Sequence, residues 1–219
     1  TMLFYTQYFF IFLAAVFVIA WGSGSTKLRQ RALLVASLVF YSLWSIPLIS
    51  LLIISCAVDF FCGKKAAETH EKRWVWLSAI TNLGILAYFK YANFGISAVI
   101  DAAQTLGINL SVPTLEVVLP LGISFYTFQS MSYTIDMYRA QYPPCKSFSK
   151  FALYVTFFPQ LIAGPIVRAN EFLDQLAKPR GLRLVFINQG VTLLIIGIFK
   201  KVVLADHAGI FAKAIFGSP

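Results

Sequence analysis

The densest set of side chains able to do chemistry lies in LPLGISFYTFQSMSYTIDMYR, Leu119 to Arg139. At helical spacing Tyr126, Gln129, Ser130, Tyr133 and Asp136 recur on one side of it, a polar ribbon on an otherwise apolar helix. Hydroxyls, an amide and a carboxylate in such a row can stabilise a developing oxyanion, line a passage for a polar substrate, or tie helices together. The spacing leaves a tunnel wall and an interhelical hydrogen-bond network both open, with Asp136 pairing with Arg139 in the second case. A further candidate stretch, FFPQLIAGPIVR from Phe157 to Arg168, offers Gln160 and Arg168 among helix-breaking residues.

Elsewhere the chemistry thins out. Asp59 sits deep in an apolar run, five residues before Lys64. A snorkelling pair or contact with a neighbouring helix competes there with a proton-binding role. His70 stands beside Glu71 and His207 follows Asp206, positions suited to solvated and interfacial roles rather than general-base catalysis. Lys200 and Lys201 suit membrane-edge anchoring or a phosphorylated ligand. Cys56, Cys62 and Cys145 form no CxxC pair, and six residues along a helix turn Cys62 about 240° from Cys56, so neither a disulfide framework nor a metal site is expected. No hydrolase elbow, zinc-protease helix, Walker loop or dinucleotide fingerprint occurs, and these residues alone define no catalytic set.

The elements that must carry these groups are apolar helices. Of 219 residues 58% are hydrophobic and 12% charged, and no charge falls from Thr1 to Thr26 or from Ala32 to Val58. Soluble domains are not built this way, and a polytopic membrane protein in contact with the lipid bilayer is expected. The net charge of +9 does not point to nucleic acid, because the 18 Lys and Arg cluster in short stretches between apolar runs.

Met2 to Trp21 is too long and too apolar at its start for a signal peptide and reads as a retained span. Leu28 to Trp44 and Pro47 to Gly63 form a helical hairpin, Trp74 to Phe89 leads outward, and Val117 to Ile135 returns. Lys90 to Glu116 is expected outside, with a partly embedded helix near Tyr91 to Ile100. Ten basic residues then fall in three inner loops and one in the outer region, which sets the N-terminus outside.

A plain span over Phe151 to Val167 would break this parity by exporting Arg168, Lys178, Arg180 and Arg183. Pro159, Gly164 and Pro165 supply two helix breaks, so a re-entrant segment over about 151–167 is expected, entering and leaving by the inner face, with a proline-kinked span as the competing reading. Leu184 to Phe199 reads as a further span interrupted near Asn188, Gln189 and Gly190. The fold class is all-α, a polytopic transmembrane helical protein forming one membrane domain over residues 1–219.

Four stretches together resemble the membrane-bound O-acyltransferase family, in its bacterial alginate O-acetylation branch: MLFYTQYFFIFL, the Leu119 to Arg139 run, FFPQLIAGPIVR and GIFKKVVLADH. The resemblance implies the amino-terminal part of a multi-helix enzyme of the bacterial cytoplasmic membrane. It implies acetyl transfer from a cytoplasmic thioester, acetyl-CoA, to hydroxyls of an extracellular polysaccharide such as alginate, with no bound cofactor and with extracytoplasmic partner proteins.

In such a fold Tyr126, Gln129, Ser130, Tyr133, Asp136, Gln160 and Arg168 would line the substrate path. The family's catalytic histidine stands in a later tryptophan-histidine motif that has no counterpart here, so no catalytic residue is assigned, and the chain is expected to need the remaining carboxy-terminal part of the enzyme for activity. The competing class is non-enzymatic, a transporter-like module or a scaffold of a polysaccharide secretion complex.

Overall fold

The computed structural model describes residues 7–107, 119–161, 164–178 and 184–217. The first residues of the opening span, the outer stretch 108–118, Ile162 and Ala163 within the expected re-entrant segment, and Arg180 and Arg183 lie outside them. Among the described residues every regular element is a helix. They are α1 (Gln7–Gly22), α2 (Thr26–Ser42), α3 (Ile46–Thr69), α4 (Lys72–Thr105), α5 (Ile123–Tyr138), α6 (Phe148–Thr156), α7 (Phe158–Leu161), α8 (Ala169–Ala177), α9 (Leu184–Phe199) and α10 (Asp206–Phe216). Two of them, α3 and α4, are long and apolar enough to cross a membrane.

Local chemistry sets the ends. Pro47 occupies the first turn of α3, where its missing N–H costs nothing, and His70 closes the helix in the left-handed region (φ 53°), its N–H bonded to the Ala66 carbonyl at 3.0 Å. The ring of His70 lies 3.4 Å from the Tyr138 carbonyl, so α3 and α5 finish at the same end of the bundle. Lys27, Arg29 and Arg31 at the start of α2, Lys64 and Lys65 near the end of α3, and Lys72 and Arg73 at the start of α4 gather at that end too. The basic clusters separated in sequence are thus one basic end in space.

Two expected boundaries differ. Helix α4 does not stop at Phe89: Lys90 is simply one turn of a 34-residue helix that runs on to Thr105. Lys90 lies over the Tyr91 ring, 5.5 Å from its centroid, so its charge has an aromatic neighbour and the helix need not end to accommodate it. Nor is α9 interrupted at Asn188, Gln189 and Gly190, which are ordinary helical residues; the irregularity comes later, as a wide π-helical turn over Lys200–Ala205 that leads into α10. None of the described residues of α9, this turn or α10 is fully buried.

The segment from Phe148 to Ala177 turns back on itself. Helix α6 ends at Thr156 because Pro159 cannot continue its hydrogen bonding, and α7 takes Pro159 as its second residue, where the lost donor is harmless. The Phe158 N–H at this break donates to Ser37 Oγ at 3.2 Å. The Phe158 ring sits among Phe9, Phe12 and Phe40, with centroids 6.3, 5.2 and 5.6 Å away. From Gly164 to Arg168 the chain is non-helical, and α8 then ends against the start of α2. There the buried Arg29 donates to the Leu176 and Lys178 carbonyls at 3.1 and 2.9 Å, and Gln30 donates to Leu176 at 3.1 Å. Ser37 lies about 12 Å further along α2 than Arg29, at 1.5 Å per residue. The segment therefore rises along α2 and comes back to the level from which it left.

Helix α5 measures the same fold-back from the other side. At its start the Leu161 carbonyl occupies the place a Cβ on Gly122 would need, and Gly122 is itself left-handed (φ 69°). Two turns on, Gln129 Nε2 donates to the Tyr154 carbonyl at 2.9 Å, while the Tyr154 hydroxyl donates to Val167 O at 2.9 Å, joining both limbs. Two turns further, Asp136 faces Arg168. Substitution of Gly122 by alanine meets both the backbone strain and the Leu161 carbonyl. It is expected to destabilise the protein by more than about 1 kcal/mol. Gly190→Ala, where a Cβ meets nothing within 4 Å, is expected to leave stability unchanged or slightly higher, as read from denaturation midpoints in micelles.

Candidate functional site

The polar ribbon of α5 is buried along its whole length: Tyr126, Gln129, Ser130, Tyr133 and Asp136 are each at most 5% exposed. Its upper and middle members are engaged with protein. Gln129 holds the Tyr154 carbonyl, Ser130 donates to Thr127 O at 3.2 Å, and the Tyr133 hydroxyl accepts the Cys145 N–H at 3.1 Å. Tyr133 also packs against α3 at Gly63, where a Cβ would fall on its ring. The Tyr126 hydroxyl is buried without a partner among the described residues, as is the Tyr41 hydroxyl. Such orphaned groups are costly in an apolar interior, and few stable folds keep many of them.

The last rung, itself buried, meets an exposed partner. Asp136 Oδ1 lies 3.7 Å from Arg168 Nη1, and Arg168 also donates to Gln141 Oε1 at 2.9 Å. The expected pairing of Asp136 with Arg139 is not made: Arg139 ends α5 as its C-cap, while the returning limb brings Arg168 to the carboxylate instead. Tyr142 adds a long 3.5 Å contact to Asp136 Oδ2. Burial, and after it the Asp136 charge, pushes the Tyr142 phenol well above its ordinary range, so it stays a donor. Burial likewise pushes the Cys145 thiol up, and its Sγ–H points at Ser147 O, which leaves a poor nucleophile.

Arg168 is 58% exposed at its side chain, so this end of the ribbon presents a positioned guanidinium to whatever approaches the basic end. Gln160 stands at the opposite extreme, at the tip of the fold-back, with its Oε1 buried and unpartnered among the described residues. Gln160 and Arg168 are thus two ends of one hairpin rather than neighbours.

The most connected polar group is one the sequence left between alternatives. Asp59, fully buried, accepts from Ser78 Oγ at 2.6 Å and from Asn82 Nδ2 at 2.8 and 2.9 Å. Ser55 Oγ donates to Asn82 Oδ1 at 2.8 Å, and Thr134 Oγ1 reaches the Asp59 carbonyl at 3.5 Å. It does not pair with Lys64; contact with neighbouring helices prevails, binding α3, α4 and α5 together. The signal was present in the spacing: Ser55 and Asp59 are four apart, as are Ser78 and Asn82, so each pair shares a helix face. Arg29 offered no comparable signal, being one of three cations in a short basic stretch. Among the described residues no group of three or more His, Cys, Asp or Glu could hold a metal ion.

Comparison with known proteins bears on this arrangement. The protein named "Probable alginate O-acetylase AlgI" from Pseudomonas syringae is 36% identical over 220 residues, covering 98% of this chain. Its namesake from Pseudomonas aeruginosa is 34% identical with the same coverage. The "Peptidoglycan O-acetyltransferase" of Helicobacter pylori is 34% identical over 82% of the chain. Along nearly its whole length the chain is thus similar to proteins named as O-acetyltransferases. It spans less than half the length of these relatives, 42%, 42% and 39% respectively. No protein-family model matches it, and no solved structure does. The two long apolar helices are in keeping with a bilayer setting.

Removal of the Asp59 carboxylate tests the clamp. Asp59→Ala orphans the Ser78 and Asn82 donors and is expected to cost about 1–3 kcal/mol for each, whereas Asp59→Asn retains one acceptor and costs less. Equal stability of Asp59→Ala and wild type in denaturant titrations of the micellar protein would show that α3, α4 and α5 do not depend on this contact.

Proposed function

We propose that the chain is the amino-terminal portion of a multi-pass O-acetyltransferase of the bacterial cytoplasmic membrane. In this reading acetyl groups pass from a cytoplasmic thioester, acetyl-CoA, to hydroxyls of an extracellular polysaccharide such as alginate, with extracytoplasmic partner proteins carrying the modification onward. The observation that carries it is the fold-back between α6 and α8, both of whose limbs return to the basic end, in a chain homologous along 98% of its length to a protein named as an alginate O-acetylase.

The basic end faces the cytoplasm and the N-terminus lies outside, as cation-rich loops favour. The fold-back is then a re-entrant element with Arg168 at its mouth and Gln160 at its tip. Arg168, held by Asp136 and Gln141, meets the anionic or carbonyl portion of the donor, and the buried ribbon from Asp136 to Tyr126 borders the path toward the acceptor.

The reaction forms a C–O bond as the thioester C–S bond breaks. The acceptor hydroxyl gives its proton to a base, its oxygen attacks the carbonyl carbon, and the departing thiolate takes up a proton. The base belongs to the family's later histidine-bearing segment, outside the length matched here, so the carboxy-terminal part of the enzyme is a required partner. What this chain supplies is positioning and a polar lining.

Transfer of labelled acetyl from acetyl-CoA to polysaccharide, by the intact protein with its partner proteins in membranes, tests the reading. Arg168→Ala is expected to lower the rate by about tenfold or more, with Arg168→Lys restoring only part of it. Absence of any transfer by the intact wild-type assembly would overturn the reaction class. Topology is checked separately: in a Cys145→Ser background, Lys146→Cys and Gln175→Cys are both expected to react with an impermeant thiol reagent from the cytoplasmic side. Labelling from opposite faces would rule out re-entrance.

A further inference from the structure

A cavity of about 240 Å³ opens between the starts of α2 and α6, lined by Lys27, Gln30, Arg31, Leu34, Ser147, Ser149 and Lys150. Its electrostatics are unbalanced. The ion pairs among the described residues are Lys65–Glu68, Arg73–Glu71, Arg168–Asp136 and Lys201–Asp206, and none involves Lys27, Arg31 or Lys150. Three cations therefore converge on one cleft with no carboxylate of the described residues in ion-pair contact. Two of them, Lys27 and Arg31, stand in the first turns of α2, where the helix dipole already presents positive charge, and neither α2 nor α6 has an acidic residue in its first turn. An arrangement that raises the local positive potential from both sources is unfavourable until an anion neutralises it.

The neutral groups of the cleft have the matching chemistry. Ser147, at the N-cap of α6, makes no side-chain cap to its own helix; its hydroxyl pairs instead with Ser149 Oγ at 2.9 Å. The first amides of α6 are therefore left without that cap, beside a hydroxyl pair in which one proton stays free to donate while the other closes the Ser147–Ser149 bond. Lysines, an arginine, hydroxyls and helix amides around one space are the donors that phosphate oxygens require. The walls are fixed, since Gln30 is bonded to the Leu176 carbonyl and the adjacent Arg29 is buried against the end of α8. At 240 Å³ the space is smaller than the ~300–1,000 Å³ of pockets that enclose a drug-sized ligand. It suits one charged group whose remainder stays outside.

We propose that this cleft binds a phosphoryl group, held by Lys27, Arg31 and Lys150 together with the Ser147 and Ser149 hydroxyls at the start of α6. The phosphoryl group belongs either to an anionic lipid headgroup at the bilayer surface or to a soluble phosphate ester. The site shares no residue with the Asp136–Arg168 end of the ribbon, and its occupancy is read without acetyl donor or acceptor, so its outcome is separate from that of acetyl transfer.

The test uses the intact protein in neutral micelles, probed with phosphatidylglycerol against phosphatidylcholine and with inorganic pyrophosphate, by thermal midpoint and native mass spectrometry. Wild type is expected to gain stability with phosphatidylglycerol, pyrophosphate or both. The triple variant Lys27→Gln, Arg31→Gln, Lys150→Gln is expected to bind about tenfold more weakly or worse. A control with the same charge change, Lys64→Gln, Lys65→Gln, Lys72→Gln, is expected to keep wild-type affinity.

Response to the lipid alone identifies a headgroup site; response to pyrophosphate as well identifies a site open to soluble esters. Failure of wild type to bind either probe overturns the proposal, as does equal weakening in the triple variant and the control. The charge-conserving pair Arg31→Lys, Lys150→Arg guards against misfolding. It is expected to retain binding, and its loss of binding would count against the site.

Discussion

Backbone that leaves the helical pattern among apolar helices must find its hydrogen bonds in protein, because lipid offers none. The turn-back between Thr156 and Ala169 lives under that constraint, and its surroundings are arranged to meet it. Ser37 receives the Phe158 amide, the Tyr154 hydroxyl takes the Val167 carbonyl, and Gln129 takes the Tyr154 carbonyl. Arg29 and Gln30 close the carbonyl end of α8. These partners come from α2, from α5 and from α6 itself, so the fold-back depends on the two helices packed beside it. The apolar contribution is concentrated at the tip, where Phe158 sits among three phenylalanines, each such pairing worth about 0.5–1.5 kcal/mol beyond its buried area.

A second, more compact polar assembly holds the other half. Asp59 lies where α3, α4 and α5 meet and is bonded by side chains from α4. A carboxylate in such a place is expensive to desolvate, and it contributes specificity only because its oxygens are saturated. It fixes the rotation of α4 about its own axis, since a helix turned by one residue would carry Ser78 and Asn82 about 100° away. The two assemblies together orient α5, whose buried face is shared by both.

Much of this was legible in the sequence, for physical reasons. Pro159 lies at the break between α6 and α7, and Gly164 and Pro165 lie in the non-helical stretch before α8, where helix breakers belong. The polar ribbon of α5 followed from 3.6-residue periodicity. Partners across the fold were less accessible: Asp136 pairs with Arg168, thirty-two positions away, because the hairpin delivers it, and local spacing favoured Arg139 instead. Lys90 and the Asn188 to Gly190 triplet suggested ends or breaks by composition, yet a lysine beside an aromatic ring and a few polar residues can ride in a continuous helix. The π-helical turn at Lys200 has no compositional marker in the KKVVLA stretch that forms it.

The length of α4 has a consequence for the bilayer itself. Thirty-four residues at 1.5 Å each make a rod of about 51 Å, against about 30 Å of hydrocarbon. Its Ser78 to Leu86 portion is locked to the bundle, so the excess cannot be absorbed by sliding the helix through its contacts. Hydrophobic mismatch is left to tilt, to local thickening of the lipid, or to projection of the turns beyond Lys90 into the headgroup region. Whatever sets the tilt of α4 is therefore passed, through Ser78 and Asn82 on Asp59, to the packing of α3 beside it.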